Sequence, residues 1–153
     1  MGQGDAGIDL ETSLGYLLKE ASSALRAAMD EVLRPLGMSV THYSCLELLA
    51  GRPGLSNSEL ARGAFVTRQT MNVLLQALER DGYVTRPAEA SVGKVLPARL
   101  TPRGRRSLDK ATVAVRSVEM RMLAGMTESE QSEAFRILQT MVHSLRGDDA
   151  QRV

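Results

Sequence analysis

Residues 56–86 read SNSELARGAFVTRQTMNVLLQALERDGYVTR. A serine followed three residues later by a glutamate, as at Ser56 and Glu59, is a capping box, which opens a helix by satisfying two backbone N–H groups. A glycine ends this short helix, and Thr67 is a residue type that caps the start of the next one. Gly82 marks the end of that second helix. The stretch therefore predicts a short helix, a tight turn and a longer helix.

The longer helix is predicted to have two different faces. Apolar residues from Met71 to Leu78 stand at i, i+3, i+4 and i+7, which is the spacing of a buried stripe. The opposite face carries amides where a solvated helix would more often carry charges. Amide side chains bond bidentately to adenine, and methyl groups contact thymine. We therefore expect contacts with DNA bases from Gln69, Thr70, Asn72, Val73 and Gln76.

A short hairpin is predicted to follow these helices. Residues 83–86 indicate one strand and residues 95–101 a second, which Pro97 confines to an edge. Lys94 lies at the predicted tip of the hairpin. Thr101-Pro102 then has the pattern of a helix start, a capping residue followed by proline. This order predicts a winged helix-turn-helix, whose second helix lies in the DNA major groove.

Two helices are predicted before this lobe. The first begins after about residue 8, runs for about seven turns and ends before Pro35. The second has Thr41 as its N-cap and ends at Gly51. Cys45, the single cysteine, lies inside this second helix among leucines. We interpret it as a buried, unreactive thiol, the alternative being an oxidant sensor.

Two more helices are predicted after the hairpin. One ends at Gly125, and the last opens with a capping box at Thr127 and stops at Gly147. The first and last helices of the chain carry apolar stripes too long for the interior of a 153-residue chain to cover, which predicts a homodimer. The expected interface residues are Leu14, Leu18, Leu25, Phe135, Leu138, Val142 and Leu145.

Charge is unevenly distributed along the chain. The net charge is +1, but residues 52–106 carry ten Lys or Arg and four Asp or Glu, a net charge of +6. A basic segment between acidic flanks indicates an anionic partner for the middle of the chain. We expect contacts with the DNA backbone, partly through the hairpin, from Ser56, Asn57, Arg62, Thr67, Arg68, Arg86, Lys94 and Arg99.

Several functional classes are not indicated by the sequence. No apolar run has the length of a membrane span, and the first residues lack the pattern of a secretory signal, so a cytoplasmic protein is expected. No phosphate-binding loop, dinucleotide fingerprint or nucleophile motif occurs. The histidines and the cysteine form no metal-ligand cluster. We therefore expect no enzyme activity, no cofactor and no metal.

The quoted stretch resembles the MarR family of winged-helix transcription regulators. The matching segments are Leu60–Arg62, Val66–Met71, Leu78–Arg86 and Leu100–Gly104, and with the flanking helices the resemblance covers about residues 10–146. It implies an obligate homodimer that binds a pseudo-palindromic DNA operator and most commonly represses transcription. It also implies a small apolar or aromatic effector between the dimer helices and the DNA-binding lobe. The effector contacts expected there are His42, Tyr43 and Leu46.

The hairpin departs from the family pattern. The family commonly has Asp-Arg-Arg shortly before the second strand, and its arginine enters the minor groove. Val92-Gly93-Lys94 stands at that place here, so the aspartate is missing and one cation remains. We predict a weaker readout of DNA by this hairpin than is typical of the family.

The fold class predicted overall is mainly α with a small β-hairpin wing, a winged helix-turn-helix with N- and C-terminal dimerisation helices. The alternative function is a winged-helix protein–protein interaction module that does not bind DNA, although such a module has no need of the basic middle segment. The predicted parts are a loose N-terminus at 1–8, a dimerisation region at 9–36 and 102–146, the DNA-binding lobe at 40–101 and a frayed tail at 147–153.

Overall fold

The computed structural model describes residues 7–86 and 98–147, which form helices and one antiparallel pair of strands. This confirms the predicted fold class of helices with a small hairpin. The elements in chain order are α1 (Leu14–Leu33), a 3-10 turn (Arg34–Leu36), α2 (Val40–Gly51), α3 (Asn57–Gly63), α4 (Arg68–Arg80), β1 (Val84–Thr85), β2 (Arg99–Leu100), α5 (Pro102–Leu123) and α6 (Glu128–Arg146).

Hydroxyl groups cap the starts of most helices, and one cap differs from its prediction. The predicted caps at Ser56, Thr67 and Thr127 are confirmed. The N-cap predicted at Thr41 is wrong, because α2 begins one residue before it. Ser39 has the extended backbone of a cap, and its Oγ accepts a hydrogen bond from the backbone N–H of His42 at 3.1 Å.

Helix α1 is shorter than predicted. It has 20 residues, or about five and a half turns at ~3.6 residues per turn, where the sequence predicted about seven. Ser13 caps its start, and the chain before it forms a turn with a hydrogen bond from Thr12 N to Asp9 O. The predicted end before Pro35 is confirmed, since the 3-10 turn follows at once.

The chain divides into two compact units, residues 1–118 and 119–153. The core of the first unit is built around α2, which contacts α1, α3 and β2. Because α2 buries side chains on several of its sides, it is an internal helix and not a surface helix. The most deeply buried side chains of this unit are Leu33, Cys45, Leu46, Leu60, Met71, Leu75 and Val84.

The strands β1 and β2 lie between α4 and α5 along the chain. Val84 pairs with Leu100 and Thr85 with Arg99, so the described strands are shorter than the predicted ones. The predicted tip, including Lys94, lies outside the described residues. The predicted cap of α5 at Thr101 is confirmed, because Thr101 Oγ1 accepts a hydrogen bond from the backbone N–H of Gly104 at 3.0 Å.

The first unit leaves an apolar stripe of α1 uncovered. Leu14 is 69% exposed and Leu18 is 42% exposed, whereas Leu25 is half-buried. The N-terminal half of this helix therefore presents leucines where a solvated helix would carry polar side chains.

The second unit consists of the end of α5 and of α6. No residue of α6 is buried, and the apolar residues Phe135, Leu138, Val142 and Leu145 are all exposed. Met122, near the end of α5, is also exposed. In the described parts of the chain, no helix has the length and apolar character needed to cross a membrane.

Candidate nucleic-acid interface

The candidate interface is formed by α3, α4 and the turn between them. The capping box at Ser56 and Glu59 is complete, with both of its reciprocal hydrogen bonds present. The turn begins with a backbone hydrogen bond of 2.9 Å from Ala64 N to Leu60 O. Thr67 then caps α4 by accepting a hydrogen bond from Thr70 N. The chain thus forms the predicted helix-turn-helix from local capping signals.

Helix α4 separates its apolar and amide-bearing residues as predicted. Met71, Leu75 and Leu78 are buried against the first unit's core, and Leu74 is half-buried. The residues predicted to contact bases are all exposed, and together they form what we call the amide face: Gln69, Thr70, Asn72, Val73 and Gln76.

Thr70, a member of the amide face, also takes part in the cap of α4. The hydroxyl of Thr67 accepts from Thr70 N at 3.1 Å and donates to Thr70 Oγ1 at 2.9 Å. The two hydroxyls therefore hold each other at the start of α4. The methyl group of Thr70 remains the part of this side chain suited to contact thymine.

Asn57 and Asn72 join α3 to the amide face. Asn57 Nδ2 donates a hydrogen bond to Asn72 Oδ1, across the turn between the two helices. The sequence placed Asn57 with the phosphate contacts and Asn72 with the base contacts. Only the tertiary structure brings the two carboxamides together.

Ser56 is used inside the protein. Its hydroxyl accepts from Glu59 N at 3.2 Å, and its own N–H donates to Glu59 Oε1 at 3.3 Å. The hydrogen bonds from Ser56 lower the pKa of the Glu59 carboxyl, because they stabilise its charged form. The backbone N–H groups of Ser56 and Glu59 at the start of α3 therefore already have hydrogen-bond partners within the protein and do not need a phosphate.

The predicted phosphate-contacting arginines fall into two groups. Arg62, Arg68 and Arg99 are exposed, and none of them is ion-paired within residues 7–86 and 98–147. Arg86 instead forms an ion pair of 2.7 Å with Glu79, at the junction of α4 and β1. Arg86 is therefore held by a carboxylate and is less available to a phosphate than the sequence indicated.

The predicted effector contacts lie mostly in the core. Tyr43 is 4% exposed and Leu46 is 0% exposed, because α2 is enclosed by its neighbours. His42 keeps some accessible surface, and its ring packs against the Tyr83 ring in a T-shaped arrangement with the ring centroids 5.4 Å apart. Burial lowers the pKa of His42, and the charge of Asp81 opposes this shift.

Cys45 agrees with its interpretation as an unreactive thiol. Its side chain is fully buried, and burial raises its pKa to about 12. The thiolate, which is the reactive form, is therefore disfavoured in the folded chain.

A recess beside Tyr83 was not predicted from the sequence. It encloses about 300 Å³, and Arg103 lies over the Tyr83 ring with its guanidinium carbon 4.8 Å from the ring centroid. The available signal was the spacing of three cations on α5 at i, i+3 and i+7, but the sequence does not say what faces them. We call it the α5 recess, lined by Leu36, Tyr83, Arg103, Arg106, Ser107 and Lys110.

Comparison with known proteins gives consistent matches. Residues 36–94 match the sequence profile of the MarR family. The chain is 43% identical over 135 residues to the HTH-type transcriptional repressor Rv2887 of Mycobacterium tuberculosis, covering 88% of this chain and 97% of that protein.

Solved structures extend the match to three dimensions. Rv2887 in complex with salicylic acid superposes with a TM-score of 0.71 at 44% identity, covering 85% of this chain and 96% of that one. Its complex with DNA gives a TM-score of 0.71 at 42% identity, with 85% and 98% covered. A MarR family regulator from Silicibacter pomeroyi gives a TM-score of 0.81 at 27% identity, with 93% and 96% covered.

Proposed function

This chain belongs to the MarR family, and from that premise we propose that it is a sequence-specific DNA-binding transcriptional repressor acting in the cytoplasm. It is a regulator and not an enzyme. In this proposal the chain binds a pseudo-palindromic operator as a homodimer and is released by a small apolar or aromatic effector.

The observation that carries the proposal is the exposed amide face of α4. A helix whose inner side is packed into a core has no structural need for glutamine and asparagine on its outer side. Gln69, Asn72 and Gln76 offer both donors and acceptors to base edges, and Val73 offers methyl groups to thymine. Each good amide–base pair discriminates against a wrong base by about 1–3 kcal/mol.

We assign contacts with the DNA backbone to the exposed cations around the amide face. Arg62, Arg68 and Arg99 supply the charge that neutralises phosphates, and the release of counterions then drives binding. Such contacts set the register of the protein on DNA and carry no sequence information themselves. We propose the same role for Lys94, which the sequence predicts at the tip of the hairpin. Ser56, Asn57, Thr67 and Arg86 are proposed as further contacts with the DNA backbone.

The homodimer is assigned to the uncovered apolar stripes. Within the first unit, Leu14 and Leu18 are exposed on α1, and within the second unit Phe135, Leu138 and Val142 are exposed on α6. Removing this surface from water stabilises an assembly by about 25 cal/mol per Å² before its entropic costs. A second copy of the chain offers the same apolar stripes in return.

The proposed effector is a small acid or phenol. The relative Rv2887 has been solved with salicylic acid and with p-aminosalicylic acid. His42 is the accessible residue among the contacts predicted from the sequence, whereas Tyr43 and Leu46 would be reached only if the core opened.

The test is fluorescence anisotropy of the purified protein on the DNA upstream of its own coding region, beside a scrambled duplex and at two salt concentrations. Specific binding at least ~10³-fold tighter than to the scrambled duplex, with both weakening in high salt, supports the proposal. Equal affinity for both duplexes contradicts sequence-specific recognition. Binding to neither at low salt favours the alternative, a protein–protein interaction module.

Two matched variants separate base contacts from general effects. Gln69→Ala removes an amide from the amide face, and Gln139→Ala removes an exposed amide from α6. We expect Gln69→Ala to weaken operator binding by ~1–3 kcal/mol and to relax one operator position. Gln139→Ala should leave operator affinity unchanged. Equal losses on operator and scrambled DNA for Gln69→Ala would remove that residue from the base contacts.

A further inference from the structure

The turn between α3 and α4 carries an aromatic side chain that packs little against the rest of the chain. Phe65 is 82% exposed, more than any other large apolar side chain that the structure describes between Val40 and Leu100. Within that part of the chain, the next most exposed is Val73 of the amide face, at 62%. The apolar surface of Phe65 is therefore available to a partner.

The backbone of Phe65 has an unfavourable conformation. Its φ of 59° lies in the left-handed region, which a residue with a Cβ adopts at an energetic cost and which glycine or asparagine adopts more readily. Backbone hydrogen bonds fix the turn, from Phe65 N to Arg62 O at 3.3 Å and from Val66 N to Ala61 O at 3.0 Å. Because most of the ring is exposed, packing inside the protein does not offset the cost. Strain of this kind indicates a function for the residue.

Phe65 lies next to the start of the recognition helix. It precedes the N-cap Thr67 by two residues and Gln69 of the amide face by four. Since consecutive Cα atoms are ~3.8 Å apart, the Phe65 Cα lies within about 8 Å of the Thr67 Cα and about 15 Å of the Gln69 Cα. The N-terminal residues of a recognition helix are those that contact base edges in the major groove. Phe65 is therefore continuous with the DNA interface.

Two cations flank Phe65 along the chain. Arg62 stands three residues before it and Arg68 three residues after it. Both are exposed, and neither is ion-paired in the ranges 7–86 and 98–147. Along a DNA strand, each pair of neighbouring phosphates is separated by a deoxyribose, whose carbon atoms are the apolar part of the backbone. An apolar ring between two phosphate-binding cations matches this alternation of charge and hydrocarbon.

We propose that Phe65 packs its ring against a deoxyribose of the bound DNA, between phosphates contacted by Arg62 and Arg68. This inference rests on the proposed function, because it adds an apolar contact to the same DNA interface. The contact removes the phenyl ring from water, but it neutralises no phosphate and reads no base edge. It therefore strengthens binding to every duplex alike and leaves the salt dependence of binding unchanged.

Anisotropy on operator and scrambled duplexes at several salt concentrations tests this role. We expect Phe65→Ala to bind both duplexes about tenfold more weakly than wild type, with a parallel salt dependence. Arg68→Ala should instead lower the slope of the salt dependence by about one. Val113→Ala is the matched control, because Val113 is an apolar side chain of α5 that is 71% exposed, and it should bind as wild type does. Phe65→Asn repeats the comparison if the alanine variant does not fold, since asparagine tolerates the left-handed backbone.

A fluorescence reporter tests the contact independently of affinity. The chain contains no tryptophan, so Phe65→Trp introduces a single indole at the turn. Saturating scrambled duplex at low salt should shift the emission of this indole to shorter wavelength and reduce its quenching by acrylamide, because the contact removes the ring from water. Val113→Trp carries its single indole on α5 and should show neither change.

The proposal is overturned if Phe65→Ala keeps wild-type affinity, or if the emission of Phe65→Trp is the same with and without bound DNA. Either result places the ring outside the DNA interface, on a surface left for a different partner. A loss confined to the operator assigns the ring to a base, and a shallower salt dependence assigns the effect to charge; both also overturn the proposal. If wild type binds neither duplex, the proposed function fails as well, whereas unresponsive Phe65 variants of a DNA-binding wild type overturn this inference alone.

Discussion

Asn57 donates a hydrogen bond from its Nδ2 to the Oδ1 of Asn72, so the first turn of α3 is tied to the amide face of α4. One lone pair of the Asn72 oxygen is thereby engaged, whereas its Nδ2 group stays free to donate to a base. Asn72 is thus held in one orientation before DNA arrives, which lowers the entropy lost when it binds.

Replacing Asn72 with alanine should weaken specific DNA binding by about 1–3 kcal/mol and relax one operator position, because a base donor is lost. Asn57→Ala should cost less, since it frees the orientation of Asn72 but removes no base contact. Anisotropy on operator and scrambled DNA measures both effects. In the double variant the two losses should not add. Full additivity would show that Asn57 acts independently of Asn72, for instance on a phosphate.

Gly104 allows α5 to start directly against the backbone of Tyr83. A Cβ atom at this position would lie far inside van der Waals contact with the Tyr83 carbonyl oxygen, which is rigid backbone. Gly104→Ala should therefore lower the free energy of unfolding by about 3 kcal/mol, measured by urea denaturation. Gly125→Ala is the matched control, because a Cβ there meets nothing within 4 Å. A loss of similar size at both glycines would argue against this steric explanation.

Phe65 adopts a left-handed backbone conformation in the turn between α3 and α4, with φ of 59°, and its side chain is 82% exposed. This conformation costs a residue with a Cβ about 1–2 kcal/mol. Phe65→Gly should therefore raise the free energy of unfolding by about 1 kcal/mol relative to Phe65→Ala, after the entropy that glycine adds to the unfolded chain. Thermal unfolding of the two variants compares them directly, and equal stability would show that the backbone is not strained.

His42 should make the stability of the protein depend on pH near neutrality. Burial lowers its pKa in the folded chain from the ordinary value of 6.5, so the unfolded chain binds more protons between the two values. Stability should fall as the pH is lowered from 6.5 through the folded pKa, and it should level off below that. In His42→Gln this part of the pH dependence should disappear, while the two proteins keep parallel profiles above pH 7. Urea midpoints across this range measure it, and an unchanged profile in the variant would exclude His42 as the cause.

Cys45 should resist thiol reagents in the native protein. Its pKa is raised to about 12 and its side chain is fully buried, so both the reactive form and access to it are suppressed. A chromogenic disulfide reagent should detect almost no thiol in the folded chain and one thiol per chain after guanidinium unfolding, as expected from the single cysteine. Rapid reaction in the folded state, accompanied by loss of DNA binding, would instead favour an oxidant sensor.

Local chemistry made much of the fold predictable. The capping boxes at Ser56 and Thr127 and the cap at Thr67 involve partners within three residues along the chain, so their effect is the same in any tertiary context. The spacing of apolar residues in α4 also indicated the exposed face correctly, because one face of a helix must pack against the core. The N-cap of α2 was misplaced because Ser39 and Thr41 are both good capping residues, and backbone geometry selects between them.

The helix-turn-helix, the residues of its amide face and the basic character of the middle segment follow from local sequence patterns. Which of those groups are free to act depends on contacts between elements that are distant along the chain. The tertiary structure pairs Arg86 with Glu79, joins Asn57 to Asn72 and encloses Tyr43 and Leu46. It also brings Leu36 and Tyr83 to the three cations of α5. Caps and apolar periodicity act over one or two helical turns of the chain, whereas ion pairing, burial and cavities depend on elements that meet only after folding.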